Sequence, residues 1–205
     1  MKFKCGPADI YLNPPLHSKE YTRNELNIST KYLVGFIGNM VAIKNVMILP
    51  DIFRIIKNKI HDVSFIIVGD GKLLDKLKNK TQKHNIKNVI FTGNLSPEEI
   101  PAIMSSLDLL LLPSLNEGMP RVTLEALSCG VSVVGSNVGG ISESIGEKNS
   151  FDLDDDFLNS ISSRAIEILE NGKKPKSLSK EFLWETTLEK EMSVYKNILE
   201  RRFYV

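Results

Sequence analysis

The chain has 205 residues, 42% of them hydrophobic and 25% charged, with a formal net charge of +1. This length suffices for one domain with a sizeable core, roughly 70% of the unfolded surface being buried at such a size. The near-neutral charge gives no electrostatic reason to bind nucleic acid or a membrane, and no apolar run approaches the ~20 residues of a membrane span. No secretory leader is visible at the start. Cys5 and Cys129 lie far apart without metal-type spacing. They fit a reducing, cytoplasmic compartment and give no disulfide framework.

Residues 1–31 contain Pro7, Pro14 and Pro15 with little apolar periodicity and read as an irregular N-terminal connecting segment. Ile10, Tyr11 and Leu12, followed by Asn13 and two prolines, suggest a short extended piece. From residue 32 an alternation begins. Apolar runs at 33–37, 65–68, 89–91, 109–112 and 131–134 predict strands, and segments 45–57, 72–84, 97–106, 120–129 and 155–170 predict helices. Ser96, Pro97 and Glu99 form a start of capping-box type. Pro50 is awkward inside the first helical segment, which must begin later or bend there. The pattern predicts an α/β fold, a doubly wound parallel sheet (Rossmann-like) with right-handed crossovers over 32–172. A linker and C-terminal helix follow over 173–205. Lys173, Lys174, Lys176 and Lys180 mark the linker as solvated. Trp184, Leu188, Met192, Tyr195 and Leu199 recur at helical spacing, a face whose plain role is packing on the sheet domain and part of which can equally be left without its partner here.

The stretch from 107 to 140 is the most informative. The run at 109–112, bounded by Pro113, suits a strand buried on both faces. A loop carrying Glu117 and Gly118 follows, then Pro120 at an expected first helical position. Gly130 can close that helix, and the next strand ends in a glycine-rich loop over 135–140. A loop entering a helix offers unpaired N–H groups and the positive end of the helix dipole, which suit phosphates. Glu117 and Glu125 can accept hydrogen bonds from ligand hydroxyls, and a sugar diphosphate joined to a ribose offers both kinds of group. The same residues have plain roles as well. Arg121 and Glu125 stand four apart, as in a surface ion pair, and Glu117 can simply open the helix. Spacing alone leaves both readings open. Gly38, Gly69, Gly71, Gly93, Gly118, Gly135, Gly139 and Gly140 all follow predicted strands, so they should gather at the carboxyl edge of the sheet, where ligands bind in such folds. Gly69 and Gly71 are expected to serve as turns.

Three motifs carry a family resemblance: Glu117, Gly118, Met119, Pro120; then Glu125 through Val131; then Gly139, Gly140, Ile141, Ser142, Glu143. Their order resembles the signature of retaining GT-B glycosyltransferases of the family 4 type (glycosyl transferases group 1), specifically the C-terminal, donor-binding domain. The resemblance runs from about residue 34 to residue 171 and more weakly beyond. It implies a UDP- or GDP-linked hexose as donor and no metal or other cofactor, because protein groups neutralise the phosphates. Glu117 and Lys44 would be catalytic. Glu125 would hold the ribose, the N–H groups from Gly118 through Met119, Pro120 and Arg121 to Val122 would frame sugar and phosphates, and Asn94 and Leu95 would frame the base. The loop Gly38, Asn39, Met40, Val41, Ala42, Ile43, Lys44 departs from the family pattern. The family usually has Arg where Asn39 stands, five residues before the Lys that Lys44 matches. An Asn cannot replace a guanidinium clamp, so Arg121 or another residue would have to compensate. The plain alternative for Lys44 is a solvated lysine at a helix start.

His17, His61 and His84 lack a neighbouring ligand-type residue and read as surface groups. Asp152, Asp154, Asp155 and Asp156 can bind a cation or open the next helix with favourable dipole sign; the second is favoured. No Ser–His–Asp or Cys–His arrangement and no G-x-G-x-x-G after a strand is present, which disfavours a dehydrogenase. A receiver-like signalling domain would need acids where Gly38 and Asn39 stand.

Two functions are therefore expected. One is the nucleotide-sugar-binding domain of an enzyme transferring a hexosyl group to a glycan or lipid-linked acceptor, with an N-terminal acceptor domain supplied in cis or in trans. The other is a non-catalytic module that binds nucleotide sugar or a protein partner. Both place the protein in the cytoplasm, with room for peripheral attachment at the membrane and no nucleic-acid partner.

Overall fold

The computed structural model describes residues 7–12, 19–172, 175 and 178–202. Six parallel strands form one sheet: β1 (Tyr32–Ile37), β2 (Val63–Val68), β3 (Val89–Gly93), β4 (Leu109–Leu112), β5 (Ser132–Ser136) and β6 (Ser150–Phe151). Their order is β3-β2-β1-β4-β5-β6. Successive strands thus run outward in one direction from β1 and in the other from β4, where Val34 pairs with Leu109 and Gly35 with Leu110. This reversal leaves a crevice at the carboxyl ends of β1 and β4.

The inner strands are mostly apolar because both of their faces are covered. Val34, Phe36, Phe65, Ile67, Leu109 and Leu111 enter one core layer, and Leu33, Ile66, Val68, Leu110 and Leu112 enter the other. The first layer packs under α3 (Leu49–Lys59), α4 (Leu74–Lys83) and α8 (Phe157–Asn171), where the Phe53 and Phe65 rings stack at 4.2 Å. The second lies under α5 (Ile100–Ser106), α6 (Arg121–Ser128) and α7 (Ile141–Ile145).

Several expectations need correction. Residues 1–31 are not uniformly irregular. The piece at Ile10, Tyr11 and Leu12 is a helical turn, α1 (Asp9–Leu12), and α2 (Lys19–Glu25) packs on α5. Asp108 anchors α2, accepting from Lys19 Nζ at 2.5 Å and Arg23 Nη2 at 2.6 Å, and it also takes the Leu33 N–H at 2.7 Å. The segment 45–57 opens with a short 3-10 turn, Val46–Ile48, itself preceded by one at Ala42–Lys44; α3 starts only at Leu49, the later start that Pro50 called for, and Pro50 falls in its first turn. Ser96 and Glu99 make one half of the capping box: Ser96 N donates to Glu99 Oε2 at 2.8 Å, while Glu99 N donates to the Ser96 carbonyl at 3.0 Å. The regular helix begins just after it, at Ile100.

The final helix, α9 (Trp184–Arg202), forms, but its apolar face does not pack on the sheet. Trp184, Leu188, Met192, Tyr195 and Leu199 are all exposed. His84 is not a free surface group, since its Nε2 lies 3.4 Å from Asp51 Oδ1; His61 is exposed. Cys5, Pro14, Pro15, His17, Lys173, Lys174 and Lys176 lie outside the described residues.

Candidate functional site

Two loops meet at the β1–β4 crevice. The first leaves β1 at Gly38 and ends in the Ala42–Lys44 turn; the second leaves β4 at Pro113 and leads into α6. Leu115 N donates to Ile43 O at 2.7 Å, which ties them together. Across this junction Lys44 Nζ donates to Glu117 Oε1 at 2.5 Å, with the two side chains 24% and 11% exposed. Residues 73 positions apart in sequence thereby form one charged pair at the switch point of the sheet.

The second loop is fixed from below. Ser114, fully buried, donates its hydroxyl to the same Glu117 Oε1 at 2.7 Å. Ser136, at the end of β5, donates to Ser114 O at 2.5 Å. The glycine-rich loop closes the arrangement: Gly140 N donates to Gly118 O at 2.6 Å. Gly139 has φ +55°, and a Cβ there would stand 1.7 Å from Glu117 O, so only glycine permits this approach. Gly69 has a related role in the first loop. Its φ is +123°, and a Cβ would come within 2.1 Å of Gly38 O. Gly69 is thus more than a turn residue, because it lets the loop after β2 press on the loop after β1. Two other glycines are placed differently from expectation: Gly93 and Gly135 end or lie within β3 and β5 rather than in the loops beyond them.

Pro120 precedes α6 with ψ 111° instead of occupying its first turn, and no side chain caps that helix. The first N–H groups of α6, from Arg121 and Val122, therefore point out of the helix without an intrahelical acceptor. The Val122 side chain packs into the core. Glu125 lies deeper in α6, its side chain 13% exposed and 4.0 Å from the Arg121 guanidinium, which is itself 61% exposed. Burial raises the Glu125 carboxyl above its ordinary 4.5, opposed by the Arg121 charge and a hydrogen bond from the Tyr11 hydroxyl. The Tyr11 phenol is in turn pushed up to about 12 by burial first and then by the Glu125 charge.

The structure thus gathers Gly38, Lys44, Glu117, Gly118 and Met119 at one crevice, from which α6 leads away; Glu125 contacts Arg121 and Tyr11. Asn39 lies in the same loop with an exposed side chain. Asn94 and Leu95 follow β3, the edge strand two strands from β1; Gly93 O accepts from Gly69 N at 2.8 Å, and Leu95 packs against the core. Ser114 and Ser136 were not anticipated. Their position at the ends of two predicted buried strands was the available signal. Tyr11 had no signal.

Asp154 and Asp156 belong to the start of α8, where Phe157 N donates to Asp154 O and Asn159 and Ser160 donate to Asp156, whereas Asp152 follows β6 and accepts from Asn137 Nδ2 at 2.8 Å. Among the described residues, no group of three or more His, Cys, Asp or Glu side chains could hold a metal ion. A cavity of about 170 Å³ lined by Lys19, Asp108, Gly130 and Ser132 opens at the opposite, amino-terminal ends of the strands. Its charged groups are already paired with one another. No helix is long and apolar enough to cross a membrane among the described residues.

A doubly wound sheet of this order, with polar loops converging at its switch point, defines a Rossmann-like α/β domain. The family described as glycosyl transferases group 1 matches residues 18–182, and the chain belongs to it. An uncharacterized glycosyltransferase of Methanocaldococcus jannaschii is 29% identical over 171 residues, covering 80% of this chain and 47% of that protein. The UDP-Gal:α-D-GlcNAc-diphosphoundecaprenol α-1,3-galactosyltransferase of Escherichia coli is 35% identical over 160 residues, covering 74% of this chain and 40% of that one. The chain therefore spans less than half the length of either relative. Among solved structures, Anabaena HepE in complex with UDP superimposes with a TM-score of 0.71 at 21% identity, over 94% of this chain and 56% of that one. It shares the fold.

Proposed function

We propose that this chain is the donor-binding domain of a retaining, family 4-type glycosyltransferase that takes a hexose from UDP or GDP. The observation that carries this reading is the Lys44–Glu117 pair bridging the two switch-point loops, beside the uncapped start of α6. In this reading Lys44 meets the diphosphate and offsets the charge that grows as the leaving group departs. The first N–H groups of α6 and those of Gly118 and Met119 donate to phosphate and sugar oxygens. Glu117 accepts from sugar hydroxyls near the anomeric carbon, and Glu125 from the ribose. Charge neutralisation by protein groups makes a metal ion unnecessary. The acceptor is a glycan or a lipid-linked sugar, as the name of the Escherichia coli relative suggests. Transfer needs donor and acceptor held together, so an acceptor domain in cis or in trans completes the cleft. The enzyme works in the cytoplasm or at the cytoplasmic face of a membrane.

The test is calorimetric. The chain should bind UDP or GDP, and Glu125→Ala should weaken that binding by about 1–3 kcal/mol through lost hydrogen bonds to a charged acceptor. An unchanged affinity in the variant removes Glu125 from the site.

A second reading, a binding module without catalysis, is favoured by one observation. Asn39 stands where the resemblance implies an arginine, and the Arg121 guanidinium lies against Glu125 on α6 instead of in the first loop. Sugar transfer by this chain once an acceptor domain is supplied would refute it.

A further inference from the structure

We propose that Ser114 is a positioning residue for Glu117: its hydroxyl holds one carboxylate oxygen in place and leaves the other for the donor sugar. The inference rests on the donor-site reading above and concerns a residue that reading does not use.

The geometry is a short relay across two strands. Ser114 follows β4 by two residues and is fully buried, as is Ser136 at the end of β5. Ser136 Oγ donates to Ser114 O at 2.5 Å, and Ser114 Oγ donates to Glu117 Oε1 at 2.7 Å. Ser136 thereby ties the loop that carries Ser114 and the acid to the end of β5. Lys44 Nζ meets the same oxygen at 2.5 Å. A carboxylate oxygen offers two lone pairs, so Ser114 and Lys44 together fill Oε1. Glu117 Oε2 has no hydrogen-bond partner among the described residues.

A buried serine with no task beyond stability usually returns its hydroxyl to a backbone carbonyl. Ser106 and Ser162 do so here, donating to Ile103 O and Leu158 O. Ser114 instead donates to an ionisable side chain in the crevice. The arrangement also has a consequence for binding. A diphosphate that draws Lys44 toward itself removes one of the two contacts on Oε1. Ser114 is the contact that remains, and it keeps Glu117 from turning after the lysine.

The experiment compares sugar-bearing and bare nucleotides on the full 205-residue chain, using UDP, UDP-glucose, GDP and GDP-mannose as probes in calorimetry. The wild-type chain should bind the sugar form of one pair more tightly than the bare diphosphate. In Ser114→Ala, and in the near-isosteric Ser114→Cys that keeps the buried volume filled, affinity for the sugar form should fall about tenfold, while affinity for the bare diphosphate shifts by less than about twofold. Ser114→Thr, which keeps the hydroxyl, should restore the preference. An equal loss for both ligands would assign Ser114 to loop stability alone and overturn the proposal, as would no loss in either variant. If the wild-type chain binds none of the four probes, the donor-site reading falls and takes this inference with it. If it binds and the variants match it, only the inference falls.

Discussion

The α-carbon of Gly139 is packed so closely on the carbonyl of Glu117 that an added Cβ would lie 1.7 Å from its oxygen. The glycine-rich loop after β5 is therefore the floor on which the acidic loop rests. Gly139→Ala must push Glu117 and Gly118 out of place, and its φ of +55° adds about 1–2 kcal/mol of intrinsic cost for a residue with a Cβ. The variant should lose nucleotide-sugar affinity while retaining the sheet. Calorimetry alongside circular dichroism will separate these effects, and wild-type affinity in the variant would contradict the placement.

The Lys44–Glu117 pair is mostly covered, so removing one partner strands the other. Lys44→Met should destabilise the chain by ~1–3 kcal/mol, because a nearly buried carboxylate loses its counterion. Glu117→Gln in the same chain should recover part of that loss, giving a coupling of about 0.5–3 kcal/mol in a urea-unfolding double-mutant cycle. Additivity of the two changes would mean that the pair is not formed in solution.

In the donor-site reading, Glu125 should make stability and ligand binding respond to pH with opposite sign. Its carboxyl is raised by burial, so the folded chain holds that proton more tightly than the unfolded one. Its contribution to stability is therefore fully present below the ordinary value of 4.5 and is lost as pH rises through the raised value. Glu125→Gln should match the wild type in acid and become the more stable of the two toward neutrality. Nucleotide affinity should instead rise with pH over the same window, since the ionised carboxylate is the better acceptor for ribose hydroxyls. Thermal melts and calorimetry as a function of pH read both limbs; a wild-type stability slope that persists in Glu125→Gln defeats the first expectation.

Asn39 offers a gain-of-function test. Asn39→Arg restores a guanidinium to the loop after β1, near Lys44, and should tighten binding of a bare nucleoside diphosphate by ~1–2 kcal/mol through charge-assisted hydrogen bonds. The effect should shrink as salt is added. No change at low salt would mean that this loop does not meet the phosphates.

Five of the six strands were legible because burial on both faces leaves an uninterrupted apolar run, as at Leu109–Leu112. Ser150–Phe151 escaped because two residues, one of them polar, carry no period. Helix α2 escaped for a different reason. Its sequence, KEYTRNE, is polar, and its place is set by Lys19 and Arg23 reaching Asp108, 89 and 85 residues away. The acids and Lys44 could be picked out by their positions after strands. That Lys44 and Glu117 touch each other depends on which strands neighbour one another, and an alternating pattern does not reveal that order. The Tyr11–Glu125 contact is invisible for the same reason. Of the two helix-entry prolines, Pro120 stands just before its helix instead of opening it, whereas Pro50 correctly signalled a later helix start and falls in the first turn of α3.

Helix α9 turns Trp184, Leu188, Met192, Tyr195, Ile198 and Leu199 toward solvent, each at least 42% exposed. A rail of oily side chains along one rod invites self-association, because two such rods laid together would shield both. Preparations of this chain should therefore grow in apparent size with concentration, and charged replacements at Leu188 and Tyr195 should disperse them.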